Sequence, residues 1–139
     1  MTMRIAHFPA ALLMVIAAVC AAAADDGAAA LCEEAEERYV EMFGHPSADE
    51  EGVTIVKMYK YNFCPAQLTV PVGTTVRWVN VDKRTSHSVL LADAGIPESD
   101  RLFPEESFEF NFLAAGAQNY VCVPHQETQN MIGMITVGD

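Results

Sequence analysis

From Val53 to Val137 the chain consists of short runs of branched and aromatic residues separated by turn signals, which leaves few folds open to it. Residues 53–61 and 67–72 read as strands, and Pro71 marks the second as an edge or a bulge. Residues 75–81 alternate Val76, Trp78 and Asn80 against Arg77, Val79 and Val81. Residues 88–92 read as a further strand, and residues 93–103, with Gly95, Pro97 and Ser99, as a loop. Residues 107–113 place Phe108, Phe110 and Phe112 on one face, and residues 119–123 and 132–137 complete the set. A period of two with almost no helix predicts an all-β sandwich.

The residues before this block follow other rules. Arg4, the short apolar run at residues 10–19 and the small residues Ala22, Ala23 and Ala24 have the order of a secretory signal peptide, so residues 1–24 are expected to be removed on export. An uncleaved anchor fits less well, because the run is shorter than the ~20 apolar residues that span a bilayer. A lipid on Cys20 fits less well again, since bulky Val19 precedes it. Residues 25–51 then hold ten acidic side chains and one basic one, Arg38. Leu31, Ala35, Tyr39 and Met42 recur at helical spacing, which predicts an amphipathic helix over residues 28–43. Gly44, His45 and Pro46 end it. The division is thus a signal at 1–24, an acidic helical extension and linker at 25–52, and the β domain at 53–139.

Loss of residues 1–24 takes Arg4 from the 8 basic residues and none of the 19 acidic ones, leaving a net charge of −12. So acidic a chain is repelled by nucleic acid and by anionic lipid, and attracted to cationic protein surfaces. Cleavage also removes Cys20 and leaves Cys32, Cys64 and Cys122, an odd number for an oxidising compartment. One cysteine is therefore free or committed to other chemistry.

Cys122 is the candidate. Tyr120-Val121-Cys122-Val123-Pro124-His125 sets a thiol and an imidazole three positions apart, Met131 follows, and His87 opens an earlier strand. Two imidazoles, one thiolate and a weakly bound thioether are the donor set of a blue-copper site. The soft thiolate suits Cu(I), the imidazoles suit Cu(II), and Pro124 stiffens the loop between two of the donors. Met134 competes with Met131, but it alternates out of the face shared by Gly133, Ile135 and Val137 and reads as a strand residue. His45, beside Pro46, reads as solvated. Met42, Met58 and Trp78 read as core.

Residues 120–126 and 131–137 together resemble the C-terminal copper loop and final strand of the cupredoxin family, in particular its plastocyanin, pseudoazurin and amicyanin-like members. Phe63-Cys64-Pro65-Ala66-Gln67-Leu68-Thr69-Val70, Gly73-Thr74-Thr75-Val76-Arg77-Trp78-Val79-Asn80 and His87-Ser88-Val89 are similar to that family's earlier strands and first histidine ligand. The resemblance implies a Greek-key β-sandwich, one type 1 copper ion on His87, Cys122, His125 and Met131, and single-electron transfer between redox proteins. It implies electron exit through His125. The acidic helix lies outside the resemblance, and the loop has one residue more between His125 and Met131 than plastocyanin has.

Other classes fit less well. A multicopper oxidase needs more histidines than His45, His87 and His125, and a binuclear copper centre needs a second cysteine in the loop. No carboxylate stands out as a general base beside the ligands, although Glu127 is near in sequence. Copper delivery or storage is the alternative, but no Met-x-Met or histidine-rich tail is present. The expectation is an exported or periplasmic monomer with no membrane span after cleavage. Its partner is a redox protein with a cationic docking surface, such as a c-type cytochrome. With Cys122 committed to metal, Cys32 and Cys64 are expected to form a disulfide that pins the helix to the β domain.

Overall fold

The alternation beyond Val53 is realised as seven strands in the computed structural model, which describes residues 16–138. They are β1 (Thr54–Tyr59), β2 (Asn62–Cys64), β3 (Gln67–Pro71), β4 (Thr75–Asn80), β5 (Ser107–Asn111), β6 (Gly116–Val121) and β7 (Ile132–Gly138). One sheet has the order β2-β1-β4-β5 and the other β3-β7-β6. β1 pairs with β4 in parallel, as β3 does with β7, and the remaining pairs are antiparallel. Pro71 lies at the end of β3, an edge strand, where its missing N–H breaks no ladder.

The sheets face each other across one apolar core. Val56, Met58, Val76 and Trp78 enter it from the first sheet, and Val70, Tyr120, Ile135 and Val137 from the second. Gly133 is required there: a Cβ at that position would lie 2.3 Å from the Tyr120 ring, which stands opposite it in the β6–β7 pairing.

The other face of β1 and β4 is covered as well. Helix α1 (Ile16–Phe43) buries Ala35 and Tyr39 against Ile55, Val79 and Val81, the outward set of the period-two pattern. β1 is therefore buried on both sides along most of its length. The polar margin of this contact is closed by ion pairs. Lys57 Nζ lies 2.6 Å from Glu36, Lys60 pairs with Glu34, and the Tyr39 hydroxyl donates to Glu50 at 2.7 Å. Cys32 and Cys64 are joined by a disulfide, with Cα atoms 5.2 Å apart.

Several boundaries differ from the sequence reading. Residues 1–15 of the expected signal segment lie outside the described residues. The helix extends back beyond residue 28 to Ile16, the first described residue, because the alanine-rich stretch between them favours helix and holds no proline. No helix among the described residues is long and apolar enough to cross a membrane. The run at 53–61 yields only β1 and ends in a turn at Lys60 and Tyr61, both with positive φ (46° and 62°), beyond which the chain returns as β2. Residues 88–92 form no strand. That segment makes single bridges, His87 to Leu102 and Leu90 to Val121, and then a 3-10 turn at Ala92–Ala94. His45 is not simply solvated, since its Nε2 lies 3.6 Å from Glu50.

Candidate metal centre

Three donor atoms converge at one end of the sandwich. Cys122 Sγ lies 3.7 Å from His87 Nδ1 and 3.3 Å from His125 Nδ1, and the three atoms lie within 4.8 Å of one another. Each is placed by different means. Cys122 follows β6 directly, so the ladder with β7 aims it. His87 is held by two backbone hydrogen bonds with Leu102, at 3.0 and 2.8 Å. His125 ends a 3-10 turn that contains Pro124, and its N–H donates to the Cys122 carbonyl at 3.0 Å.

Met131 closes the loop. The Cys122 N–H donates to the Met131 carbonyl at 3.0 Å, and the Met131 N–H to the His125 carbonyl at 3.3 Å. Helix α2 (Gln126–Gln129) and Asn130, in the left-handed conformation at φ 52°, take up the residues between His125 and Met131. Met131 is buried in the same core cluster as Cys122. Met134 is not, since it pairs across to Gln67 and Asn119 and points the other way. The structure thus brings His87, Cys122, His125 and Met131 to one end and leaves Met134 in the sheet.

The surroundings fit a soft, partly covalent metal site. Cys122 and His87 are wholly buried, and the Ser88 N–H donates to Cys122 Sγ at 3.4 Å. Such a bond spreads the charge of a thiolate without competing for the metal. Burial also disfavours a charged imidazole at His125, and His87 and Arg101 lower its pKa further. At His87 burial acts the same way, but the bonds to Asp82 and Cys122 outweigh it and raise the pKa. His125 stays partly open to solvent.

Sequence reasoning missed two neighbours. The sequence reading found no carboxylate beside the ligands; in the fold the His87 Nε2–H donates to the Asp82 carboxylate at 2.7 Å. Asp82 precedes His87 by five residues, a spacing with no meaning until the loop folds. Tyr61 is the other. Its ring stands edge-on to His125, 4.8 Å between centroids, and 6.3 Å from His87. It sits in the β1–β2 turn, at a positive φ of 62°.

A thiol and two imidazoles at this spacing, with a methionine packed in the same cluster as the thiol, fit copper, and known proteins agree. Residues 50–138 match the family of copper binding proteins described as plastocyanin/azurin. The chain is 36% identical to halocyanin of Natronomonas pharaonis over 84 residues, 55% of this chain and 48% of that protein. It therefore spans about half the length of that relative. It is 34% identical to plastocyanin of Scenedesmus fuscus over 85 residues, 54% of this chain and 85% of that one. Among solved structures, a reduced tryptophan-to-tyrosine variant of amicyanin superposes with a TM-score of 0.57 at 26% identity, covering 66% of this chain and 89% of that one. A Cu(I) form of a methionine-to-glutamine variant of amicyanin gives 0.56 at 26% identity over the same shares.

Proposed function

The chain belongs to the plastocyanin/azurin family of copper-binding proteins, and from that premise we propose that it is a mononuclear electron carrier holding one copper ion on His87, Cys122, His125 and Met131. The observation that carries this reading is the convergence of two imidazole nitrogens and one thiol sulfur within 4.8 Å. Bound copper supplies a one-electron couple. The protein's own part is to keep the donors where they are as charge comes and goes. Three backbone hydrogen bonds link Cys122, His125 and Met131, and the core packs behind Cys122 and Met131, so the donor positions resist change. A fixed geometry keeps the reorganisation accompanying each transfer small. Partly exposed His125 is the exit, and buried His87 is the inner support.

The protein works outside the cytoplasm on this reading. The order of parts in residues 1–24 and the Cys32–Cys64 disulfide both support export to an oxidising compartment. Its partner is a redox protein with a cationic surface, attracted by the acidic balance of the chain. Residues 53–139 carry the copper function and residues 25–52 brace it.

The test is reconstitution with Cu(II). The loaded protein should show an intense visible thiolate-to-copper band and one fast, reversible voltammetric couple, and Cys122→Ser should abolish the band, because an alcohol oxygen cannot replace the thiolate. A colourless loaded protein would remove the proposal. A coloured one that yields its copper readily to an apo acceptor and shows no reversible couple would replace it with copper delivery.

A further inference from the structure

Asp82 is a buried carboxylate whose placement the sandwich alone does not require. It is 8% exposed, and among the described residues no lysine or arginine lies within ion-pair distance of it; its charged-group contact is His87 Nε2. Two backbone amides fix it in place. The Lys60 N–H donates to both carboxylate oxygens at 3.2 and 3.3 Å, and Asp82's own N–H donates to Asn80 Oδ1 at 2.9 Å. Asn80 is itself fully buried, and its amide donates to the carbonyls of Thr85 and Leu102 at 2.7 and 2.9 Å. The whole turn from residue 80 to His87 is thereby locked. Lys60 makes this contact from a positive φ of 46°, a conformation uncommon for a lysine. Backbone strain of this kind persists where surrounding structure over-determines it, often beside functional sites.

A buried carboxylate is unfavourable unless a positive charge faces it. The His87 ring turns Nδ1 to Cys122 Sγ and gives its Nε2–H to Asp82, so the carboxylate faces the donor set through one imidazole. Such an outer carboxylate fixes the ring's tautomer and orientation and makes the ring a stronger donor. A negative charge held behind the ligand favours the more highly charged ion.

We propose that Asp82 is a positioning residue that orients His87 and, by its charge, stabilises the Cu(II) state and so lowers the reduction potential of the site. The inference rests on the copper reading above. It separates Asp82 from Met131, whose weak thioether bond acts in the opposite direction.

Voltammetry and copper titration on the loaded full-length protein test it. Asp82→Asn keeps a hydrogen-bond acceptor of the same size and removes the charge, whereas Asp82→Leu removes both. Asp82→Asn should keep the visible band, lose about 10–100-fold in Cu(II) affinity and lose little in Cu(I) affinity. A tenfold selective loss corresponds to an upward shift of about 59 mV for one electron. Asp82→Leu should shift the potential at least as far, and Asp82→Glu should restore part of it. Equal potentials in the wild-type and Asp82→Asn proteins overturn the role of Asp82 while leaving the copper reading intact. A wild-type protein with no visible band overturns the copper reading and this inference with it. If the variants do not fold, proton NMR of the wild-type Cu(I) protein decides: a downfield, slowly exchanging Nε2–H on His87 supports the bond to Asp82, and a fast-exchanging one refutes it.

Discussion

β1 and β4 are packed on both faces, and the two faces are held in different ways. Towards the sandwich they meet a continuous apolar core in which Cys122 and Met131 are themselves packed. Towards helix α1 they meet a small cluster around Ala35 and Tyr39, ringed by ion pairs and closed by a disulfide. The first face holds no acidic side chain and no disulfide, so acid and reductant have little to act on there. The second depends on both. The site is thus built into the face whose stability comes from packing, and the charge-rich extension is attached through bonds that the environment can undo.

Damage to the sandwich should therefore appear in both stability and colour. Trp78→Ala removes the largest buried side chain of the core and should cost about 3–5 kcal/mol. Denaturant unfolding should show the loss, and the copper band should weaken with it. An unchanged band in a folded Trp78→Ala protein would uncouple packing from the site and break the comparison.

Damage to the helix face should appear in stability alone. The disulfide closes a loop between residues 32 apart, worth about 3–4 kcal/mol in the chain-entropy model. Replacing Cys32 and Cys64 together by serine should lower the melting temperature and leave the visible spectrum nearly unchanged. A shifted spectrum would show that the helix acts on the copper site through the β1–β2 turn, where Lys60 meets both Glu34 and Asp82.

Gly133→Ala sharpens the comparison at a single atom. The added methyl meets the Tyr120 ring inside the sandwich, and overpacking of this kind costs about 1–3 kcal/mol. The melting temperature should fall, while Cys122, two residues beyond Tyr120, should show a perturbed band.

Acid should loosen the helix face first. Burial pushes the Glu36 carboxyl up, but its bonds with Lys57 and Ser47 outweigh this and hold its pKa below the ordinary 4.5. A depressed carboxylate contributes stability above its unfolded pKa and loses it as pH falls through the folded value. Amide protection factors in α1 should accordingly fall as pH drops below about 4.5, before those in β6 and β7 change. Simultaneous loss of both would mean that the two faces form one cooperative unit. The smallest effect is that of salt: transfer to a cationic partner should slow as ionic strength rises, and a flat profile would point to an apolar interface.

The strands that alternate cleanly were legible before folding, as were the donor residues, because a period of two and a run of donor types are local properties. The β1–β2 break was not. Its turn uses Lys60 and Tyr61 at positive φ, with none of the glycine or asparagine that announces such a turn. The segment after His87 looked like a strand from its branched residues, but it crosses from Leu102 to Val121 and has only one bridge to each. Asp82 was invisible for a further reason: its part depends on contacts with Lys60, 22 residues earlier, and with His87. The covered outer face of β1 and β4 was half legible, since Ile55, Val79 and Val81 are too apolar for a surface and needed the helix to cover them.

The position of β7 has a consequence for how the molecule is made. It lies at the middle of its sheet, between β3 and β6, yet it is synthesised after every other described strand. Neither neighbour has a partner in that sheet until β7 arrives, and β3 waits across more than sixty residues of chain. The candidate donors are divided in the same way, with His87 well before β7 and Cys122, His125 and Met131 close to it. A nascent or unfolded chain therefore carries scattered donors and no assembled site. Closure of the second sheet by β7 and assembly of the candidate metal end are therefore one folding event, because Cys122, His125 and Met131 lie on the segment that joins β6 to β7.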